Sequence, residues 1–86
     1  MHKDWKILIS PDVEKKIKKL LRDEQNRVRR AINRLETKPQ SANLKRLKGR
    51  PEWSLRIGKW RMLFWPDVTD HALVAVEFGP RGDIYK

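Results

Sequence analysis

The feature that most constrains the fold is a change of hydrophobic period partway along the chain. Up to residue 35 the apolar residues recur at helical spacing: Val13, Ile17, Leu20 and Leu21, then Val28, Ala31, Ile32 and Leu35. From residue 53 they alternate instead: Trp53, Leu55 and Ile57, then Trp60, Met62 and Phe64, with polar or basic residues between most of them. A period of about 3.6 buries one stripe of a helix and a period of 2 buries one face of a strand. The first half therefore predicts helices and the second half a sheet for them to cover.

Punctuation sharpens this division. Trp5 to Ile9 reads as a short strand closed by Ser10-Pro11. Ser10 suits a helix N-cap, Pro11 the first helical position, and Asp12 and Glu14 the positive end of the dipole. The polar stretch Arg22 to Asn26 separates the two apolar sets, with Asp23 as a second possible N-cap, and we read a helical hairpin there rather than one long helix. Lys38-Pro39 ends the helical region, and residues 39–52 read as a basic loop. Gly58-Lys59 is a two-residue Gly-X turn of the type II′ kind, joining two strands as a hairpin. Pro66-Asp67 stops the second of these, Ala72 to Phe78 supplies another strand, and Gly79-Pro80-Arg81-Gly82 turns the chain into a short tail. The expected fold is α+β, in the order β-α-α-β-β-β. A helical hairpin covers one face of a small antiparallel sheet, and residues 1–86 form a single domain.

Composition bounds the function. The chain has 21 Lys and Arg against 11 Asp and Glu, a net charge of +10 on 86 residues, which favours a polyanionic partner, nucleic acid first. It has no cysteine, hence no disulfide framework or thiolate metal site. No apolar run approaches the roughly 18 residues of a membrane span and no signal peptide is read, so a cytoplasmic protein with no membrane partner is expected.

A two-residue turn at Gly58-Lys59 pairs Ile57 with Trp60, and hence Arg56 with Arg61 and Leu55 with Met62. If the Trp53-to-Phe64 set faces the core, Arg56 and Arg61 stand opposite each other on the other face. Like charges so placed cost a few tenths to about 1 kcal/mol unless an anion lies between them. The alternative is two solvated arginines splayed apart or bridged by Glu77. Leu63 and Trp65 share that face, and an aromatic body beside an arginine pair suits stacked single-stranded RNA.

The order Leu44-Lys45-Arg46-Leu47-Lys48-Gly49, then Trp53 to Arg61, then Phe78 to Tyr85 resembles the RelE/ParE toxin superfamily, over essentially the whole chain. The resemblance implies the toxin of a toxin–antitoxin pair. In the RelE branch it implies a ribosome-dependent endoribonuclease that cleaves mRNA and uses neither metal nor cofactor. Matched residue by residue, it assigns catalytic roles to Arg61, Arg81, Tyr85 and Arg56. A further basic position of the family falls on Ser54, a departure that Lys45, Arg46 or Lys48 would have to offset. Lys45, Arg46, Lys48 and Trp65 are the expected RNA contacts. The chemistry is coherent: attack of a 2′-hydroxyl on phosphorus builds charge that guanidinium groups stabilise, while a tyrosine beside cations is a base candidate. His2 is terminal and His71 falls in a predicted turn, a poor acid–base pair. The implied partners are an acidic antitoxin, in a heterotetramer, and the ribosome with its mRNA; basic helix faces suit such an antitoxin. The rivals are a ParE-like gyrase-inhibiting toxin and a non-catalytic basic nucleic-acid-binding module.

Overall fold

The computed structural model describes residues 5–39 and 42–80. The elements are β1 (Lys6–Ile9), α1 (Pro11–Lys18), α2 (Arg22–Thr37), β2 (Leu44–Arg46), β3 (Trp53–Ile57), β4 (Trp60–Asp67) and β5 (Ala72–Pro80). The strands form one sheet in the order β1-β5-β4-β3-β2. The α+β plan of a helical hairpin against one sheet is the one expected from the pattern. The sheet is mixed rather than wholly antiparallel, because β1 runs parallel to β5 with Ile7 beside Leu73 and Ile9 beside Ala75.

Local chemistry explains the helices. Ser10 caps α1, its hydroxyl accepting from the Val13 N–H at 3.3 Å, with Pro11 following in the first turn. The hairpin breaks at Lys19-Leu20-Leu21, slightly earlier than the polar stretch suggested. The Gln25 side chain donates to the Leu20 carbonyl at 2.9 Å, in the break, and to the Lys18 carbonyl at 3.3 Å, one that the end of α1 leaves open. Asp23 is thus within the first turn of α2 and not its N-cap. Leu21 holds the cap position in extended backbone and is 74% exposed, so it leaves the apolar stripe to which its spacing assigned it. A bidentate Arg29–Glu14 ion pair ties the two helices together.

The core lies between helices and sheet. Val13 and Ile17 of α1 and Val28, Ile32 and Leu35 of α2 pack on Leu55, Ile57, Met62, Phe64, Leu73, Ala75 and Phe78. Ala75 and Phe78 are three apart on one strand, which strict alternation would put on opposite faces. A register shift solves this: Leu63 pairs with Glu77 while Phe64 pairs with Ala75, leaving Val76 as the extra residue of a bulge.

Strand boundaries differ from expectation, beginning with β1, which starts at Lys6 rather than Trp5. Residues 44–46, read as loop, form the edge strand β2, antiparallel to β3. β4 continues through Pro66 to Asp67, because β3 pairs only as far as Phe64 and a proline is tolerated where one side of the strand is open. β5 likewise continues through Gly79 and Pro80, paired with Arg61 and Trp60.

Candidate nucleic-acid interface

The hairpin of β3 and β4 positions the site. Gly58 has φ +58° and Lys59 does not have positive φ, the pattern of a type II′ turn. The register follows: Ile57 beside Trp60, Arg56 beside Arg61, Leu55 beside Met62. The Arg56 N–H donates to the Asn43 carbonyl at 3.1 Å, on the side away from β4. Arg56 and Arg61 therefore form a non-hydrogen-bonded cross-strand pair, the close kind, with Cα atoms about 4.5 Å apart. Their side chains leave the sheet on the face that the helices do not cover.

On that face a groove of about 550 Å³ is lined by Asn43, Lys45, Leu47, Ser54, Arg56 and Arg61 among others. The edge strand completes it. Lys45 stands directly opposite Ser54, so a basic side chain flanks the position where the family pattern has one and this chain has serine. Glu77, the acid expected as a possible bridge between the arginines, is exposed, pairs in register with Leu63 and makes no ion pair with Arg56. Arg56 is exposed, with no side-chain hydrogen bond or ion pair to a described residue, whereas Arg61 is half-buried and has an interaction of its own. Three cations thus converge with no carboxylate among the groove-lining residues, an arrangement suited to an anion with several oxygens.

The remaining expected contacts are distributed differently. Arg46 and Lys48 line a separate hollow with Arg50 at the far end of β2. There the Arg50–Glu52 pair, 2.8 Å long, holds the Glu52 carboxyl below its ordinary value, helped by the residue's own backbone N–H. Leu63 is 1% exposed and presents no stacking surface. Trp65, 47% exposed, lies four residues beyond Arg61 on β4, about 13 Å along the strand. It stands outside the groove, with the exposed Leu8 and Val76 and the half-buried Val74, in an apolar strip across β1, β5 and β4. His71 is exposed, in a left-handed backbone conformation (φ 51°), with its ring 5.1 Å from that of Trp5. Arg81 and Tyr85 lie outside the described residues. Asn43 and Leu47 were not anticipated as groove residues; their signal was β2 itself, which three residues are too few to reveal by alternation.

Together, the helical hairpin, the five-stranded sheet with parallel β1 and the helix-free face define a class: this is a RelE-like fold. Among solved structures it is similar to a chain of the archaeal RelE–RelB complex from Pyrococcus horikoshii, with a TM-score of 0.74 and 20% identity, covering 92% of this chain and 97% of that one. A chain of the RelB–RelE antitoxin–toxin complex from Methanococcus jannaschii gives a TM-score of 0.71 at 16% identity, covering 91% and 94%. The isolated Escherichia coli RelE toxin gives 0.70 at 10% identity, covering 94% and 90%. No protein-family model matches the chain, and no curated protein matches it by sequence. Among the described residues no helix is long and apolar enough to cross a membrane.

Proposed function

We propose that this chain is the toxin of a toxin–antitoxin pair and a ribosome-dependent, metal-independent endoribonuclease that cleaves mRNA and stops translation. The observation that carries the reading is the Arg56–Arg61 pair beside Lys45 in one groove on the helix-free face. The fold likeness supports the same reading.

In the proposed step a 2′-oxygen forms a bond to the adjacent phosphorus and the bond from phosphorus to the 5′-oxygen breaks. The products are a 2′,3′-cyclic phosphate and a 5′-hydroxyl. The 2′-hydroxyl proton passes to a base, proposed as the Tyr85 phenolate, and the leaving 5′-oxygen takes a proton from water. Arg61 and Arg56 hold the phosphorane oxygens, with Arg81 as a third guanidinium and Lys45 supplying the charge absent at Ser54. A tyrosine base is weak near neutrality, so alignment of the RNA by the ribosome contributes much of the rate. Arg46, Lys48 and Trp65 act farther along the strand, as positioning contacts. The setting is the cytoplasm, and the partner is an acidic antitoxin in a heterotetramer. The exposed Leu8, Trp65 and Val76 on that strip support a protein partner.

The test is single-turnover cleavage of mRNA on programmed ribosomes. Arg61→Ala is expected to lower the rate by roughly 10²–10³, or about 2.7–4 kcal/mol of transition-state stabilisation, with the fold retained in circular dichroism. Tyr85→Phe should lose a comparable factor. Wild-type rates in Arg61→Ala, or no ribosome-dependent cleavage by the wild-type chain, refute the reading; DNA damage dependent on gyrase would favour the ParE-like alternative.

A further inference from the structure

A second cationic surface lies on the opposite side of the molecule, along α2. Arg27, Arg30 and Arg34 recur at i, i+3 and i+7, and Lys38 follows at the C-cap. Successive members lie three or four residues apart and so fall on one stripe of the helix. Two hollows meet along this stripe. One, of about 390 Å³, is lined by Arg27, Arg30, Ala31 and Arg34 with Ile57 and Gly58 of the hairpin turn. The other, of about 530 Å³, is lined by Arg30, Asn33, Arg34, Thr37 and Lys38. Sharing Arg30 and Arg34, they make one track, and Arg27 to Lys38 spans about 16 Å at 1.5 Å per residue.

The three arginines of the track are uncompensated. Arg27, Arg30 and Arg34 are exposed, and none makes an ion pair or side-chain hydrogen bond with a described residue. Two of the three acids of α2 are placed elsewhere. Glu24 accepts from Trp60 Nε1 at 2.9 Å and lies 3.3 Å from Lys59 Nζ, and Glu36 falls about half a turn from the stripe. Asp23 stands at the stripe's N-terminal end, one turn before Arg27. Arg29, off the stripe, is the arginine of α2 that is neutralised, by Glu14. Like charges at these spacings weaken a helix, so their concentration on one face calls for an anionic occupant.

We infer that the α2 track binds the phosphate backbone of a nucleic-acid duplex, at a site separate from the groove on the helix-free face. Three features select that occupant. The track offers no exposed large apolar residue, whereas a protein partner needs buried anchors at the centre of its interface. It offers no exposed aromatic ring, which a single strand would use for stacking. It does offer evenly spaced planar forks along a straight rod, which suit a rigid row of phosphates. The inference stands on the track's own geometry and holds whether or not the chain cleaves RNA.

The experiment measures affinity for a 16-base-pair RNA duplex, and for the DNA duplex of the same sequence, across a salt series. Arg27→Gln/Arg30→Gln/Arg34→Gln is compared with wild type and with Lys15→Gln/Lys16→Gln/Lys19→Gln, which removes equal charge from α1 and its C-cap. Glutamine is a good helix former, so thermal melts of both variants should resemble wild type. The track variant is expected to lose at least about tenfold in affinity near 0.1 M salt. Its slope of log K against log salt should flatten by about 2.7, or 0.9 for each phosphate no longer neutralised. The α1 variant should lose less than about threefold. Loss on RNA alone identifies an RNA duplex, and equal loss on both identifies duplex backbone of either kind; each upholds the site. Equal losses in the track and α1 variants would reduce the effect to net charge and overturn it. So would a track variant that keeps duplex affinity but no longer binds a co-expressed acidic antitoxin. Arg56→Gln/Arg61→Gln should keep most duplex affinity, and a larger loss there than in the track variant would also overturn the assignment. Ribosomal cleavage assays of Arg61→Ala report separately on the reaction, so either conclusion can fail alone.

Discussion

Arg56→Gln should stabilise the protein in dilute buffer and blunt its response to phosphate. Arg56 faces Arg61 across a close cross-strand pair, with no ion pair of its own among the described residues. Two unit charges about 6 Å apart repel by about 0.7 kcal/mol in water and about 2.8 kcal/mol at an effective dielectric constant of 20. Arg56 is exposed, so the lower figure governs, in line with the roughly 0.2–1 kcal/mol typical of cross-strand pairs. Taking about 0.5 kcal/mol, and about 4–8 °C of melting temperature per kcal/mol for a domain this small, the variant should melt about 2–4 °C higher. Added inorganic phosphate reverses the ranking. A ligand bound by the native pair stabilises in proportion to ln(1 + [L]/Kd), so wild type should climb more steeply than the variant and overtake it. Thermal melts by circular dichroism at low ionic strength, repeated over a phosphate titration against chloride of matched ionic strength, measure both effects. A variant that melts lower in dilute buffer, or one with the same phosphate response as wild type, would refute the clamp.

The other expectations are structural. The Glu14 carboxyl is held below its ordinary 4.5, chiefly by the Arg29 hydrogen bond and also by the charges of Arg29 and Lys18. A depressed carboxylate stabilises the fold above its unfolded value and loses that contribution as pH falls through the folded one. Glu14→Gln should therefore cost about 0.2–1 kcal/mol at neutral pH, as befits a partly exposed pair, and the gap from wild type should close below about pH 4.5 in denaturant titrations. Gly58→Ala places a Cβ at φ +58° and 3.1 Å from Arg27 Nη1. The guanidinium can swing away but the backbone strain remains, so a loss of about 1–2 kcal/mol is expected by chemical denaturation. Trp60→Phe keeps the ring that stacks on Phe78 but removes the indole bond to Glu24, and should cost about 1.5–3 kcal/mol in the same denaturant titrations.

The hairpin was legible because a two-residue turn fixes parity for every residue behind it. Once Gly58-Lys59 is the turn, the pairing of Arg56 with Arg61 and the burial of Leu55, Ile57, Met62 and Phe64 follow together. What escaped was set by partners distant in sequence. β2 is three residues long with two of them exposed, so it has no alternation to read, and its place is decided by β3. The parallel β1–β5 pairing joins residues 6–9 to residues 72–75, and no local signal states which edge β1 will take. The bulge at Val76 is visible only once Ala75 and Phe78 are known to share a face. The same distinction runs through the site. Arg56 and Arg61 could be placed from one turn, whereas Lys45 joined them, and Arg46 and Lys48 did not, because of how an edge strand docks.

Core and clamp are fixed by one register. Sliding β3 by a single residue against its neighbours would turn Arg56 inward and Leu55 and Ile57 outward. Two buried apolar side chains, worth about 1.5–3 kcal/mol each, would be lost to water. A guanidinium would enter the core at a desolvation cost of several kcal/mol. The register that sets the two arginines against each other at a cost of about 0.5 kcal/mol is thus held by forces many times larger. A protein this small has little material with which to preorganise a cluster of like charges. Here the apolar face of the same two strands does it: Leu55 and Ile57 on β3 and Met62 on β4 anchor the core on one side and so fix the positions of Arg56 and Arg61 on the other. The Arg56–Arg61 pair therefore sits on a backbone segment whose register the core fixes.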